Sequence, residues 1–374
     1  MKDFLVSIFN LIRFLNIEKE KKEFVFYSES KFYRDYFIDL VNSLKKKGID
    51  NIILISSDKD DVKFFKENLT CLFIKNFSIL SIFFKMLNCK FMIMTLTDLG
   101  YHFQKSKLCK YYVYYFHAIA STHQQYTKSA FENYDIIFSN GDYHTKELKV
   151  IEDQFNLKKK EIINTGYFFL DNLKKKANLD LKQKKQILFA PSWNYNKENL
   201  FDDYSIKIIS MLLSEDFSVT LRPHPEHYNR SSESIDKIKD MFLSNKNFIL
   251  DKNVSNLHSM EKAELLITDN SSIVFEFLFV FKRPIIYVDY TDKIHNVDRS
   301  KISIDTIEDH FKKEFGNIIN VNDLKNLPFF CEKISVRNEL NNSQIESFEK
   351  KYISNLETSA SYAANYLVNK SKLI

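Results

Sequence analysis

Glycine and proline are scarce in this sequence, at five residues each in 374. Each one therefore marks a place where the backbone has a need that other residues do not meet. Cysteine is nearly as rare. Cys71, Cys89, Cys109 and Cys331 are widely spaced with no C-x-x-C pair. That excludes a zinc ribbon and a disulfide framework, and points to a reducing compartment. A dominant charge is missing too, since 54 basic and 49 acidic side chains leave a net +5. The small excess suits an anionic ligand or an acidic membrane surface. It falls short of the basic bias of a nucleic-acid binder, and no nucleic-acid module is present. The opening MKDFLVSIFNLIRFLNIEKEKK has Arg13 inside its apolar run and no small-residue cleavage site. It reads as neither a membrane span of ~20 residues nor a signal peptide. G-x-G-x-x-G, Walker A, G-x-S-x-G and H-E-x-x-H are all absent, which excludes the dinucleotide fingerprint, the P-loop, the hydrolase elbow and the zincin helix.

What is present is a regular alternation. EFVFYS (Glu23 to Ser28), NIILIS (Asn51 to Ser56), CLFI (Cys71 to Ile74), KFMIMT (Lys90 to Thr95), YYVYYF (Tyr111 to Phe116) and YDIIFS (Tyr134 to Ser139) read as buried strands. Helical patterns separate several of them, such as FYRDYFIDLVNSLKKKG, which stops at Gly48. A second series follows the lysine-rich stretch from Leu173 to Lys185: KQILFAPSW, FSVTLRPHP, NFIL, AELLITD and RPIIYVDY. The lysine-rich stretch is either a linker or a solvated helix face. Strands alternating with helices predict parallel sheets covered on both faces. The expected fold is α/β, two Rossmann-like parallel-sheet domains with a cleft between them and a C-terminal helix. The expected boundaries are 1–22 for an amphipathic helix, 23–178 and 179–342 for the two domains, and 343–374 for the final helix. Phe4, Leu5, Ile8, Leu11, Ile12 and Leu15 recur at helical spacing with Lys19 to Lys22 behind them. Two readings stay open for that first helix: it lies in the plane of an anionic membrane, or it packs on its own domain. The location expected is cytoplasmic, with peripheral contact at the inner membrane face left open.

Several segments carry candidate chemistry. In AELLITDNSSIVFEFLFVFKRPIIYVDY a strand ends at Asp269, and Ser271 and Ser272 stand at a helix N-terminus. Backbone N–H groups and partial positive charge gather there and suit phosphate; the alternative is a helix cap and nothing more. In LRPHP, Arg222 offers a planar charged fork, and His224 sits between two prolines at a strand's end, where a group titrating near ~6.5 can move a proton. His117 follows the apolar YYVYYF strand in the same kind of position, whereas His123 reads as structural. No carboxylate or cysteine joins the two histidines at ligand spacing, so no metal site is predicted. FAPSWN ends a strand with Ser192 and the sole tryptophan, Trp193, which either meets a donor base or fills a domain boundary. NTGYFFLD puts Gly166 at a tight turn near the expected cleft, and FSNGDYHTKEL joins strand to helix through Asn140 and Gly141.

Taken in order, His117, TGY from Thr165, APSW from Ala190, RPHP from Arg222, TDNSSIVFEF from Thr268 to Phe277 and KRPIIY resemble the CDP-glycerol glycerophosphotransferase family of cell-surface polymer enzymes. The resemblance implies a GT-B-like fold. It also implies that His117 and His224 are catalytic, and that Arg222, Asp269, Ser271, Ser272 and Glu276 bind the donor, with Gly166, Ser192 and Trp193 alongside. This sequence departs from the family pattern at Ala118, Asn270 and Glu276. The implied reaction moves glycerol phosphate or ribitol phosphate from a CDP-linked donor to a hydroxyl of a surface glycan or lipid-linked acceptor, releasing CMP. No cofactor is implied, and a divalent cation is left open. The alternatives on the same fold are a glycosyltransferase using a nucleotide sugar and a nucleotide-sugar epimerase. A non-enzymatic homologue that scaffolds an assembly is the third reading.

Overall fold

The structure, a computed structural model, describes residues 2–65, 69–97, 99–195, 198–337 and 340–373. The chain divides into two compact units, one formed by Met1–Asn172 with Tyr352–Ile374 and the other by Leu173–Lys351. Each is a parallel sheet wrapped in helices, as the alternation of apolar runs requires.

The first unit carries β1 (Phe24–Ser28), β2 (Ile52–Ser56), β3 (Thr70–Phe73), β4 (Phe91–Met94), β5 (Tyr111–Tyr115), β6 (Ile136–Ser139) and β7 (Glu161–Asn164), in the order β3-β2-β1-β4-β5-β6-β7. Successive residues of a strand face opposite sides, and both sides here are apolar. Val25, Tyr27, Ile53, Ile55, Met92, Met94, Tyr112 and Tyr114 fill one core, while Phe24, Phe26, Ile52, Leu54, Phe91, Ile93, Val113 and Tyr115 fill the other. That is why these strands read as continuous apolar runs rather than alternating ones.

The second core is closed by the far end of the chain. The segment from Ser343 onward, expected as one helix, is two, Asn342–Tyr352 and Ser359–Lys372. The latter belongs to the first unit, where Ala360, Ala363, Ala364 and Leu367 pack against the core that holds Phe37, Leu40 and Leu44. Three alanines let the helix backbone come close to its neighbour.

The first helix, Lys2–Leu15, docks on the same unit through Ser7, Asn10, Leu11 and Phe14. Asn10 Nδ2 donates to the Phe73 carbonyl at 2.9 Å, and Lys75 N donates to Ser7 Oγ at 3.2 Å. Phe4, Leu5, Phe9 and Ile12 stay exposed, Phe9 at 66%. Its apolar residues thus divide between a docked face and an open one. Among the described residues no helix is long and apolar enough to cross a membrane.

The second unit carries β8 (Gln186–Phe189), β9 (Ser218–Leu221), β10 (Phe248–Leu250), β11 (Leu265–Thr268), β12 (Ile285–Asp289) and β13 (Gly316–Asn320), in the order β10-β9-β8-β11-β12-β13. Both sheets therefore begin with the doubly wound order 3-2-1-4-5-6, counting strands from the first of each. The lysine-rich stretch falls at the change of unit. It forms the end of a helix, Phe168–Lys176, and a short 3-10 turn, Leu179–Leu181.

Candidate active site

In a doubly wound sheet a crevice opens where the strand order reverses, outside the carboxyl ends of the two strands that flank the reversal. In the second unit those strands are β8 and β11, and they end in the APSW and TDNSS segments. The two loops are knitted together. Asp269 accepts from the Ser192 backbone N–H at 2.7 Å on Oδ1 and from Ser192 Oγ at 2.8 Å on Oδ2. Thr268 Oγ1 donates to the Ala190 carbonyl at 2.7 Å. Asp269 is buried, and burial raises its pKa while the two Ser192 bonds pull it back down.

Beside it Asn270 Nδ2 donates to the Thr291 carbonyl at 3.0 Å, which ties this loop to the one after β12. That neighbouring loop brings in Lys293. Its pKa is lowered by burial, against the opposing pull of Asp269 and Glu308. Lys293 was not anticipated from sequence, because TDKIHN has no periodicity and its partners are far away in the chain.

Ser271 and Ser272 precede the helix Ile273–Phe281, whose nine residues are all buried. Ser272 stands at the N-cap but makes no side-chain capping bond. Glu276, one turn in, is buried and accepts from Asn256 Nδ2 at 3.0 Å.

The RPHP segment sits at the end of β9. His224 is the N-cap of the helix Pro225–Arg230, and its Nδ1 accepts from the Glu226 backbone N–H at 3.2 Å. An acceptor nitrogen carries no proton, so the neutral ring has its proton on Nε2. Arg222 has partners within its own unit that sequence did not indicate. Its NH1 pairs with Asp251 at 2.6 Å and its NH2 donates to the Val254 carbonyl at 3.0 Å. The fork holds the 251–256 loop through two of its five N–H donors. Through Asn256 that loop reaches Glu276, and Asp251 and Asn256 thereby connect two motifs that sequence reading treated as separate.

Trp193 lies over a pocket of about 190 Å³, with its ring 5.8 Å from that of His224 and 4.9 Å from that of His295. The second unit thus gathers Ser192, Trp193, Arg222, His224, Asp269, Ser271, Ser272 and Glu276 on the loops that leave β8, β9 and β11.

His117 belongs to the first unit, at the end of β5. Its ring meets those of Tyr33 and Tyr36 edge-on, at 5.3 and 6.0 Å between centroids. The loop behind it is pinned at every step. Tyr167 OH donates to the His117 carbonyl at 3.0 Å, and Asn140 Nδ2 donates to that of Ala118 at 2.9 Å. His144 Nε2 bonds that of Ala120 at 2.7 Å, and Glu147 accepts from both the N–H and the hydroxyl of Thr122. His123 is fully buried beside Glu147, at 3.4 Å. Burial lowers the pKa of His144 to about 4.

Glu29, just past β1 where this sheet's own order reverses, is pushed up to about 7 by burial. Sequence reading passed over it, though a carboxylate directly after a buried strand was the available signal. Among the described residues no three His, Cys, Asp or Glu side chains converge as a metal cage would require.

Gly141 joins β6 to the helix Asp142–Gln154 as expected, and both it and Gly166 are approached by the C-terminal segment. A Cβ on Gly166 would lie 2.1 Å from the Ser354 carbonyl oxygen, and one on Gly141 would lie 2.0 Å from that of Tyr352. Gly166 in addition has φ +89°, a backbone that favours glycine. Both glycines make room for the returning C-terminal segment.

The sequence from 12 to 361 matches the family described as CDP-Glycerol:Poly(glycerophosphate) glycerophosphotransferase. Among curated proteins it is 25% identical over 194 residues to the teichoic acid glycerol-phosphate primase of Bacillus subtilis (strain 168), a match covering 48% of each chain. It is also 25% identical over 231 residues to the minor teichoic acid biosynthesis protein GgaB of the same strain, covering 55% of this chain and 23% of that one. The matches thus span about half or less of those relatives' lengths. Among solved structures, the wall teichoic acid polymerase TagF superimposes with a TM-score of 0.63 at 16% identity, covering 100% of this chain and 97% of that chain. A UDP-N-acetylglucosamine 2-epimerase homologue from Listeria monocytogenes gives 0.61 at 14% identity, covering 96% and 97%. Both likenesses establish the fold alone. The match along 12–361 takes in every motif that carried the resemblance, and the chain belongs to the CDP-glycerol:poly(glycerophosphate) glycerophosphotransferase family.

Proposed function

We propose that the chain is a transferase that moves a polyol phosphate, glycerol phosphate or ribitol phosphate, from a CDP-activated donor to a hydroxyl of a surface glycan or lipid-linked acceptor. The observation that carries this reading is the Ser192–Asp269 link, which joins two family motifs at the strand-order reversal of the second unit. The open serine hydroxyls and the first-turn N–H groups of Ile273–Phe281 suit a pyrophosphate, and Lys293 adds a cation beside them.

In the reaction the acceptor oxygen attacks the donor's β-phosphorus. The bond from that phosphorus to the bridging oxygen breaks, and CMP leaves with that oxygen. The acceptor's proton must go to a base. His224 is poorly suited, because in its neutral form Nδ1 is occupied as an acceptor and Nε2 already carries the proton. It suits a donor role toward phosphate oxygens. His117 is assigned the base. Charge developing on the phosphoryl oxygens is met by fixed donors that need no rearrangement, ordinarily the largest catalytic term.

The test is turnover by the purified full chain with CDP-glycerol, CDP-ribitol or a UDP-sugar, scored by the nucleotide released. CMP from a CDP-polyol is the expected product. Release of UDP from a UDP-sugar, with no reaction of either CDP-polyol, would overturn the reading in favour of a glycosyltransferase or epimerase.

The open face of Lys2–Leu15, with exposed Phe77 and Met86 on the adjoining helix Phe77–Met86, suits peripheral contact with the inner membrane surface. Lys2, Arg13 and Lys85 lie on the same two helices and favour anionic lipid. Co-flotation with phosphatidylglycerol vesicles, reduced several-fold by Phe9→Glu, is the expected outcome. Equal flotation of the two proteins would remove the membrane from this proposal.

A further inference from the structure

Glu29 stands at the reversal point of the first sheet with nothing of the protein's own to hold. We infer that it positions the acceptor, taking the hydroxyl next to the one that attacks, so that the acceptor's end is a vicinal diol. The inference rests on the transfer reading above.

Its place in the fold is that of a ligand-facing residue. The order of this sheet reverses between β1 and β4, and a crevice opens outside the carboxyl ends of two such strands. β1 ends at Ser28, so Glu29 is the first side chain beyond it. The backbone is held on either side: Ser28 Oγ lies 2.9 Å from the Ser30 carbonyl oxygen, and Lys31 N donates to Asp58 Oδ2 at 3.1 Å. The turn Lys31–Tyr33 follows directly. It brings in Tyr33, which together with Tyr36 meets the His117 ring edge-on. Burial raises the pKa of the Tyr115 phenol, and Glu29, Tyr33, Asp61 and Tyr36 all raise it further, which gathers these groups around one ring. Glu29 and His117 therefore border the same tyrosines, each just past the end of a strand in one sheet.

The carboxyl is also uncommitted. Lys31, two residues on, turns to Asp60 at 3.1 Å instead. Among the described residues Glu29 has no hydrogen-bond or ion-pair partner. Its acidic neighbours do: Asp58 accepts from Lys31 N, and Asp61 accepts from Ser28 and Ser56. Burial pushes the Glu29 carboxyl up to about 7 with nothing opposing it. A polar group taken out of water without a partner costs stability, and folded proteins keep few of them. A ligand that brings hydroxyls supplies the missing donors. A carboxylate has about four acceptor positions, and Glu29 has spent none of them on the protein. One hydroxyl of a 1,2-diol held there leaves its neighbour to attack, with the proton passing to the base assigned above. The faces of Tyr33 and Tyr36 offer the carbon skeleton an apolar surface.

The experiment uses the full chain, whichever of CDP-glycerol and CDP-ribitol turns over, and two probe acceptors. One is an octyl glucoside ending in glycerol phosphate. The other ends in the phosphate of propane-1,3-diol, which lacks the middle hydroxyl. The wild type should favour the first by roughly tenfold in kcat/KM, the worth of one hydrogen bond to a charged group. Glu29→Gln should cut that preference to about threefold or less by raising KM for the first probe, with KM for the donor unchanged. Its melting temperature should equal or exceed that of the wild type, since an unpartnered carboxylate is removed. A merely structural role predicts the reverse, a lower melting temperature with the ratio between the probes kept. Equal use of the two probes by the wild type, or a preference that survives Glu29→Gln, overturns the assignment and leaves the transfer reading standing. Should the wild type transfer to neither, calorimetric binding of the same probes reads the preference without turnover, and binding of neither overturns the assignment. Release of UDP from a UDP-sugar, with both CDP-polyols inert, overturns the transfer reading and this inference with it.

Discussion

At the carboxyl ends of β5, β6 and β7 the polar side chains turn back onto their own backbone. At the end of β11, Ser272 stands at a helix N-terminus with no side-chain capping bond. Asn140, His144, Glu147 and Tyr167 each hold part of the loop that begins at His117, and Gly141 and Gly166 receive the chain returning from the second unit. In the second unit Asp269, Ser192, Thr268 and Asn270 interlock the loops after β8, β11 and β12, and Ser272 makes no capping bond. Two sheets with the same opening strand order therefore use their loops differently. The first fixes one histidine on a rigid support, and in the proposed reading the second presents a set of groups to an anion.

The sharpest way to break this contrast is to substitute a residue that is only support. Gly166→Ala should cost at least ~2 kcal/mol, since the new Cβ meets a backbone oxygen and the left-handed φ disfavours any side chain. Donor affinity should be unchanged at temperatures where the variant is folded. A melting temperature equal to wild type would mean that the C-terminal segment is not seated on Gly166.

A second effect, present in both units, depends on pH. His144 and His227 have folded pKa values lowered to about 4 by burial, against ~6.5 in an unfolded chain. The unfolded state then binds more protons between those values, so stability is complete above pH ~6.5 and is lost as pH falls toward 4. For fully buried His144 this amounts to on the order of 3 kcal/mol. His144→Gln, which keeps a donor for the Ala120 carbonyl, should reduce the slope of melting temperature against pH in that window. An unchanged slope would show that His144 does not titrate there.

Much of the fold was legible because both faces of each sheet are buried, so that the strands appear as apolar runs bounded by turn residues. β7 and β13 were harder. They are edge strands with half-exposed or polar residues, EIIN and GNIIN, and neither makes a continuous run. The return of Ser359–Lys372 to the first unit left no periodic signal, because its contact face is three alanines and a leucine. Of the candidate site residues, His117, Ser192, Trp193, His224, Asp269, Ser271 and Ser272 are marked by their positions at strand ends. The ion pair of Arg222 left no signal, since its partner Asp251 is 29 residues away on a loop with no motif. The packing on Gly166 left none either, because what approaches it comes from the far end of the chain.

The most direct measurement is donor binding by two variants, His117→Ala and His224→Ala, using CDP-glycerol with turnover followed in parallel. With His117 as base and His224 as a donor-phosphate contact, His117→Ala should bind CDP-glycerol as wild type does and lose turnover by roughly 10²–10⁴-fold. His224→Ala should lose both. Loss of binding in His117→Ala with intact binding in His224→Ala would reverse the assignment, and near-normal turnover in both would contradict it outright.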